Sequence, residues 1–172
     1  MQAPFEAQGR VRVRSFTRSD LPAILAIERD SHPNGWSRRE LLGFLRGRDV
    51  LTRVLTLDGR PRAFFMLQMD SAAVRLINLA VHPDARRRGL ARRALREVDS
   101  IALDFSAGHV ELEVRESNLA AQLLYRQAGY RAYQIARGMY GDEDGYRMRK
   151  RALRSAEEVV PRLFGQLPEV GL

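Results

Sequence analysis

The stretch from residue 73 to residue 104 changes its hydrophobic period at Pro83, and this change limits the folds open to the chain. Before the proline, AVRLINLAVH is rich in branched apolar residues, which is typical of a strand. After Gly89 the apolar positions follow a helical period: Leu90, Ala94, Leu95, Val98, Ile101 and Leu103. A strand, a short loop and a helix in this order predict a layered fold in which helices cover a sheet.

The rest of the chain continues the alternation of strand and helix patterns. Further strand patterns lie at 10–16, 50–57, 60–69, 109–115, 130–137 and 145–153, and helical patterns at 17–31, 36–47 and 118–129. Thr17 and Ser37, each followed three positions later by an acidic residue, mark helix starts, and Asp58-Gly59 marks a hairpin turn. The order β-α-α-β-β-β-α-β-α-β-β indicates an α/β (mixed α+β) fold. We expect a single domain whose twisted mixed sheet of about seven strands is flanked on both faces by about four helices.

Composition excludes several classes of site and partner. The 172 residues, 45% of them hydrophobic, suffice for one domain with a core. The absence of cysteine excludes disulfides, thiolate zinc sites and cysteine nucleophiles, and the scattered histidines show no ligand spacing, so no metal is expected. No apolar run approaches about 18 residues and the N-terminus lacks the features of a signal peptide. We therefore expect a cytoplasmic protein without a membrane partner.

Arginines crowd the loop before the helical pattern at 90–104, in ARRRGLARR, within a chain whose formal net charge is +8. The first amides of a helix lack internal acceptors and carry partial positive charge, and Gly89 lets a ligand approach the backbone. These features favour a bound phosphate. From the residues alone a solvated arginine face is an equal alternative, because Lys150 is the only lysine and such a bias more often reflects the coding composition of a genome.

The segment RRRGLA resembles the Arg/Gln-x-x-Gly-x-Gly/Ala signature of the GCN5-related N-acetyltransferase superfamily, in the strand–loop–helix setting that this family uses. The resemblance implies that the loop amides hold the pyrophosphate of acetyl-CoA, the cosubstrate, and that the preceding strand pairs with its pantetheine arm. The cofactor-binding residues so implied are Leu79, Ala80 and Val81 on the strand and Arg86, Arg87, Arg88, Gly89, Leu90, Ala91 and Arg92 on the loop.

The segment LEVRESNLAAQLLYRQAGY, residues 112–130, is similar to the second acetyl-CoA segment of one branch of the superfamily. That branch contains the bacterial ribosomal-protein-alanine N-acetyltransferases and the protein N-terminal acetyltransferases of archaea and eukaryotes. The resemblance implies that Glu113 accepts a proton from the amine, Asn118 contacts the cofactor, and Tyr125 donates a proton to the departing thiolate. The chemistry needs such groups, because a protonated amine cannot attack a thioester and a thiolate leaves more easily when a hydroxyl donates to it.

Each of these residues also has a plainer interpretation. Glu111 shares a strand face with Glu113 and is its main rival as the base, and His82 at the end of the cofactor strand is another. Without the motif, Tyr125 would be an aromatic residue at the edge of the core. Ser117 or Asn118 would be a helix cap, and for Asn118 this is compatible with cofactor contact.

Two further segments resemble the acceptor side of the same branch. Trp36 follows the pattern of its Pro-Trp-Ser connection, with Gly35 in place of the proline. Tyr140 matches one of a pair of tyrosines, the other of which is Met139 here. Trp36 and Tyr140 are therefore the expected substrate-binding residues, and a tryptophan buried against the second helix is the alternative for Trp36.

The resemblance covers residues 10–153, the expected N-acetyltransferase domain, with an extension at 1–9 and a tail at 154–172 that allows one short helix. It implies direct acetyl transfer, in a ternary complex, to the α-amino group of a protein or peptide N-terminus. That partner could be a ribosomal protein, with nucleic acid contacted only through the ribosome. The alternatives are a lysine or small-amine acetyltransferase and, in another class, a non-catalytic module that binds acyl-CoA or RNA.

Overall fold

Seven strands and four α-helices follow one another in the predicted order within residues 9–32 and 35–152, which the computed structural model describes. The strands are β1 (Val11–Ser15), β2 (Val50–Leu57), β3 (Arg60–Met69), β4 (Ala73–Val81), β5 (His109–Arg115), β6 (Arg131–Ala136) and β7 (Gly145–Arg151). The helices are α1 (Leu21–Ser31), α2 (Arg38–Leu45), α3 (Leu90–Asp104) and α4 (Leu119–Gln127). None of the described helices has the length and apolar composition needed to cross a bilayer. The expected extension, apart from Gly9, and the expected tail at 154–172 lie outside the described residues.

One sheet holds these strands in the order β1-β2-β3-β4-β5-β7-β6. β1 to β4 run antiparallel to their neighbours, as do β5, β7 and β6, whereas β4 and β5 are parallel. Asp58 and Gly59 close the β2–β3 hairpin with φ angles of 52° and 81°, which a two-residue turn between twisted strands requires. The mixed sheet predicted from the sequence is confirmed.

Helices cover both faces of the sheet, as predicted, because its central strands are apolar on both sides. On β3, Phe64 and Met66 belong to the core cluster under α1 and α2, whereas Phe65 and Leu67 belong to the cluster under α3 and α4. α1 packs on β3 and β4, and α2 packs on β2. The same face therefore stays open over β5 and β7, where charged side chains reach solvent.

β4 and β5 pair over only part of their length. Residues 73–76 lie opposite 109–112, and the pairing then ends, although β4 continues to Val81 and β5 to Arg115. The pairing ends at a bulge, since Ile77 on β4 is an extra residue relative to β3. A bulge bends a strand and increases its twist. The separated ends leave a gap within the sheet, between residues 77–81 and 113–115, which we call the strand opening.

Candidate active site

A row of free amides stands at the start of α3, beside the strand opening. The backbone N–H groups of residues 87–92 donate to no acceptor within the described part of the chain. Arg87 and Gly89 have φ angles of 61° and 77°, a left-handed conformation that turns successive amides toward a common side. A Cβ added at Gly89 would meet no protein atom within 4 Å, so the space beside the loop is open. Free amides at the start of a helix, together with the helix dipole, favour a negatively charged group there.

The side chains around these amides differ in exposure. Leu90 is buried and Ala91 is half-buried, so these two residues offer amides rather than side chains to a ligand. Arg87 and Arg88 are exposed beside the free amides. They are placed to add full positive charge near a bound phosphate.

Two other arginines of the predicted phosphate loop tie elements together. Arg86 turns back and donates to the backbone carbonyls of Val81 and Ser31, each at 3.4 Å. Arg92 donates to the Gln127 side chain at 3.1 Å and so links α3 to α4. The structure thus gives Arg86 and Arg92 positions that hold the loop, with contacts to the protein itself.

Leu79, Ala80 and Val81 form the border of β4 along the strand opening. Ala80 packs in the cluster under α1, while Leu79 and Val81 pack toward the cluster under α3. Their side chains therefore point away from the strand edge. The opposite edge of β4 pairs with β3. The Val81 carbonyl accepts from Ser31 Oγ at 2.9 Å and from Arg86 Nε at 3.4 Å. The other main-chain groups along the edge toward β5 are placed to pair with an extended ligand.

Glu113 lies on β5 just past the point where β4 leaves it. Its side chain is 40% exposed on the open face of the sheet, and the neighbouring Leu112 and Val114 are buried on the other face. Arg147 Nε on β7 donates to the Glu113 carboxylate at 3.0 Å. Glu113 is therefore level with the strand opening, and Arg147 holds its carboxylate from the β7 side.

Glu111, the rival base, lies beside the part of β4 that is still paired, opposite Arg75. Its carboxylate is 3.0 Å from His109 Nε2 and accepts from the Tyr133 hydroxyl at 3.4 Å. The alternation of β5 puts both glutamates on one face, as predicted. Its position favours Glu113 over Glu111 as the base, because only Glu113 is level with the strand opening.

Tyr125 approaches the sheet from the opposite side. It lies on α4, is 9% exposed, and belongs to the core cluster under α3 and α4, where it meets Tyr130 edge-on at 5.9 Å between ring centroids. Burial, with a smaller effect of Tyr140, raises the pKa of Tyr125 to about 12. Its hydroxyl is therefore protonated at neutral pH, the state in which it can donate a hydrogen bond.

Tyr140 is electrostatically coupled to both groups. Burial, followed by the charge of Glu113, raises the pKa of Tyr140, and Tyr140 in turn raises the pKa of Tyr125. The guanidinium of Arg115 stacks over the Tyr140 ring at 4.1 Å. Through Arg115 the β6–β7 loop is tied to the end of β5, two residues past Glu113.

Asn118 caps α4, with Oδ1 accepting from the Ala121 N–H at 3.2 Å. The predicted cap is confirmed. The cap uses the side-chain oxygen, so the amide nitrogen of this exposed residue remains available to a ligand.

Trp36 stands on the α1–α2 connection, where it stacks on Phe44 of α2 with 4.4 Å between ring centroids and 20° between planes. Its backbone N–H donates to Glu28 on α1 at 3.0 Å. Because Trp36 is half-buried, it anchors α2 and also shows part of its ring to solvent. We call the Trp36–Phe44 pair the aromatic wall.

His82, the other alternative base, is held at the end of β4. Its Nδ1 accepts from the Asp84 N–H at 3.3 Å, and its Nε2 is 3.7 Å from an oxygen of Asp30 on α1. These contacts direct the ring toward α1 and the loop after β4. In the described part of the chain, no group of three or more His, Cys, Asp or Glu side chains is arranged to hold a metal ion.

Sequence reasoning misses three contacts of this region: Arg147 with Glu113, Arg115 with Tyr140, and Glu28 with Trp36. The two-residue period of a strand puts Arg147 on one face of β7. The residue that it meets on β5 depends on strand register, which the β5–β7 pairing sets.

Comparisons with known proteins agree with this geometry. A family model described as Acetyltransferase (GNAT) family matches residues 17–130. The ribosomal protein bS18-alanine N-acetyltransferase of Salmonella typhimurium is 36% identical over 131 residues, 76% of this chain and 88% of the relative. The crystal structure of the ribosomal-protein-S18-alanine N-acetyltransferase from Escherichia coli superposes with a TM-score of 0.78 at 31% identity, over 87% of this chain and 99% of that chain.

A GNAT family acetyltransferase from Elizabethkingia anophelis, solved with acetyl-CoA bound, shares the fold, with a TM-score of 0.71 at 15% identity over 82% of this chain and 97% of that chain. The family match covers most of the chain, including the loop before α3 and the β5–α4 segment. The resemblance inferred from the two sequence motifs is confirmed. The chain therefore belongs to the acetyltransferase (GNAT) family and is an N-acetyltransferase.

Proposed function

We propose that this enzyme transfers the acetyl group of acetyl-CoA to the α-amino group of a protein N-terminus. The observation that carries the proposal is the strand opening, with free amides at the start of α3 and with Glu113 and Tyr125 on opposite faces of the sheet. The similarity to enzymes named ribosomal protein alanine N-acetyltransferases supports an N-terminal acceptor.

The residues of the opening fit acetyl-CoA by chemical type. A pyrophosphate matches the amides of residues 87–92 with Arg87 and Arg88 beside them, and the amide groups of pantetheine match the free edge of residues 79–81. The Asn118 amide nitrogen adds a donor from α4. When bound, the cosubstrate supplies the acetyl group as a thioester.

The two proton transfers are assigned to the groups on the two faces of the sheet. Glu113 accepts the proton that the amine loses as the new C–N bond forms, and Tyr125 donates a proton to the thiolate released when the C–S bond breaks. Arg147 fixes the Glu113 carboxylate through the 3.0 Å contact. Because the amine attacks the thioester directly, no acyl-enzyme forms.

The acceptor side is formed by the aromatic wall and Tyr140, which flank the open face of the sheet. We propose a ribosomal protein that begins with alanine as the acceptor, as in the printed names of the relatives, with nucleic acid met only through the ribosome. With this acceptor, we propose that the enzyme acts in the cytoplasm.

A peptide panel tests the acceptor. The enzyme is mixed with acetyl-CoA and peptides that differ in their first residues, and thiol release and peptide mass are followed. A lysine-containing peptide with a blocked N-terminus and a polyamine represent the alternative acceptors. We expect turnover on free N-termini, with alanine preferred. Turnover on the polyamine or the blocked peptide alone would overturn the proposed acceptor.

Paired substitutions test the base. We expect Glu113→Gln to lower kcat by roughly a hundredfold or more, since a positioned general base contributes on this scale. Glu111→Gln, the matched control on the same strand face, should retain most of the activity. The reverse result would assign the base to Glu111.

A further inference from the structure

Glu28 is a buried carboxylate that has no part in the proton transfers proposed above. It lies on α1 with 3% exposure. An ionised carboxylate loses favourable hydration when it is buried, and it is kept only where hydrogen bonds replace the water. Its partners therefore indicate its role.

The Glu28 carboxylate joins three parts of the chain. Oε1 accepts from the Trp36 N–H at 3.0 Å, and Oε2 accepts from Asn78 Nδ2 at 3.0 Å. His32 Nδ1, one turn along α1, is 3.3 Å from Oε2. Burial raises the pKa of Glu28, but the contacts with His32, the Trp36 amide and Asn78 outweigh it, so the pKa lies below its ordinary value. The group is a carboxylate at neutral pH.

Two partners of the Glu28 carboxylate lie on different sides of the proposed active site, one toward the acceptor and one toward the cofactor. Trp36 is half of the aromatic wall, which faces the acceptor. Asn78 is 8% exposed on β4, next to the Ile77 bulge where the strand opening begins. One side chain thus connects the acceptor wall to the cofactor strand, 50 positions away from Glu28 along the sequence.

Gly35 gives separate support that the connection is shaped around this carboxylate. A Cβ at residue 35 would lie 2.6 Å from Glu28 Oε1 and 2.7 Å from the Cβ of His32. No side chain fits there unless the carboxylate moves. The departure from the family pattern at Gly35, where a proline is usual, thus occurs at the residue that lies against Glu28.

We propose that Glu28 is a positioning residue, which holds the aromatic wall at a set place relative to the strand opening and so determines the affinity for the acceptor. This inference depends on the proposed function only in taking the acceptor to be a protein N-terminus. The wall contributes binding that is equal in the ground and transition states. Loosening it should therefore raise the acceptor KM and leave kcat nearly unchanged.

A reciprocal exchange tests the pair. Glu28→Gln places an amide against the Asn78 amide, and Asn78→Asp places a carboxylate against Glu28. We expect each single variant to raise the acceptor KM by roughly tenfold, the scale of a lost hydrogen bond to a buried charge, and the acetyl-CoA KM by much less. The double variant restores a carboxylate–amide pair with the roles reversed, so its acceptor KM should return most of the way to the wild-type value.

Trp36 supplies a second readout, because it is the only tryptophan of the chain. We expect its fluorescence emission to shift to longer wavelength in both single variants and to return in the double variant. Glu40→Gln is the matched control: it removes the carboxylate that caps α2 through Ser37, next to the wall, but does not touch β4. Its acceptor KM should change by less than the Glu28→Gln value.

The outcomes separate the two proposals. Absence of turnover on every peptide by the wild-type enzyme would overturn the proposed acceptor, whereas the Trp36 emission series would still test Glu28. Wild-type emission and acceptor KM in Glu28→Gln would overturn the positioning role. The positioning role would also be overturned if the acceptor KM of the double variant were as high as that of the worse single variant. The same holds if Glu40→Gln raised the acceptor KM as much as Glu28→Gln. If Glu28→Gln does not fold, Asn78→Ala, which leaves Glu28 its Trp36 and His32 partners, should still raise the acceptor KM, and an unchanged KM would overturn the role.

Discussion

The backbone of Gly89 has a φ of 77°, and the space beside it is free of protein atoms. A larger residue there would be strained and would also put a side chain where the phosphates are proposed to lie. We expect Gly89→Val to raise the acetyl-CoA KM by roughly tenfold or more, since strain of this kind alone costs on the order of 1–3 kcal/mol. Steady-state kinetics at fixed acceptor concentration measures the change.

Arg87→Ala is the matched comparison, because it removes a full charge from the same loop and leaves the amides in place. An exposed charge contributes up to about 1 kcal/mol, so the KM for acetyl-CoA should rise by no more than roughly fivefold. A larger effect at Arg87 than at Gly89 would mean that side-chain charge, rather than the backbone, carries phosphate binding.

Tyr130 has a fully buried hydroxyl without a hydrogen-bond partner in the described residues. Burial raises the pKa of Tyr130 well above its usual range, so the group is a neutral, unsatisfied donor. We expect Tyr130→Phe to increase the free energy of unfolding by about 1 kcal/mol, because it removes a desolvated polar group and keeps the ring. Urea unfolding measures it, and a clear loss of stability would show that the hydroxyl is satisfied in solution.

Tyr125→Phe is the counterpart on the neighbouring ring, which packs edge-on against Tyr130. If the Tyr125 hydroxyl is the proton donor, this variant should lose roughly a hundredfold in kcat with little change in stability. Tyr130→Phe should keep its kcat. Equal kcat values in the two variants would remove Tyr125 from the mechanism.

Among the elements, β1 and the turn before α1 are joined by a buried carboxylate. Asp20, with a side chain 5% exposed, accepts from Arg14 at 2.7 and 2.6 Å and from the Thr17 N–H at 2.8 Å. The hydrogen bond from Arg14 has the largest effect and lowers the pKa of Asp20 to about 2. One carboxylate thus closes the 3₁₀ turn (Arg18–Asp20) that precedes α1 and ties this turn to the first strand.

This pKa shift predicts a pH dependence of stability. The folded pKa of about 2 is below the unfolded value near 3.8, so the stabilisation is complete above about pH 4 and is lost as the pH falls toward 2. We expect Asp20→Asn to lower the free energy of unfolding by about 1–2 kcal/mol at neutral pH, with the difference closing between about pH 4 and pH 2. Thermal unfolding across that range measures it.

Asp30→Asn provides the control for this prediction, because Asp30 makes an ion pair with the exposed Arg29. Its loss of stability should be smaller than that of Asp20→Asn, since exposed pairs are screened by water. A constant difference between wild type and Asp20→Asn down to pH 2 would contradict the assigned role of the carboxylate.

The elements themselves could be predicted from the sequence because their signals are local. Capping at Ser37 and Thr17, the Asp58-Gly59 turn and the apolar period of α3 all depend on residues a few positions apart. Contacts between elements could not be predicted in this way. The meeting of Arg147 with Glu113 depends on the β5–β7 register, and that of Glu28 with Asn78 on the packing of α1 over β4.

For the candidate site the motifs located the loop and the β5–α4 segment, but not what each side chain does. Arg86 and Arg92 lie in the same arginine-rich segment as Arg87 and Arg88. Arg86, however, contacts Val81, and Arg92 contacts Gln127. Which arginine faces a ligand is set by backbone angles near Gly89 and by neighbours from distant elements. Neither these backbone angles nor these neighbours can be derived from the composition of the loop or the spacing of its arginines.

At the scale of the whole molecule, the sheet consists of two antiparallel halves, β1 to β4 and β5, β7 and β6, joined by the short pairing of residues 73–76 with 109–112. We expect acetyl-CoA to slow amide hydrogen exchange at Leu79 and Val81, whose N–H groups alternate away from β3, and at residues 87–92. It would give acceptors to the first set and phosphate oxygens to the second. Mass spectrometry of exchanged peptides measures the effect.

Adenosine 3′,5′-bisphosphate, which carries phosphates without a pantetheine arm, separates the two contributions. It should slow exchange at 87–92 and leave 79–81 unchanged. Exchange at β1, which is distant from the strand opening in the strand order, should not respond to either compound. Protection by acetyl-CoA confined to β6 and β7 would place the cosubstrate elsewhere.

The strand opening also affects which substitutions such an enzyme can accept during evolution. Its border on β4 offers main-chain groups, while the side chains of residues 79–81 are turned into the two core layers. Every amino acid except proline brings the same N–H and C=O to that border. Under the proposed function, mutations there are filtered by how well they pack, and a lineage can keep its acetyl donor while the aromatic wall and the β6–β7 loop change toward new acceptors.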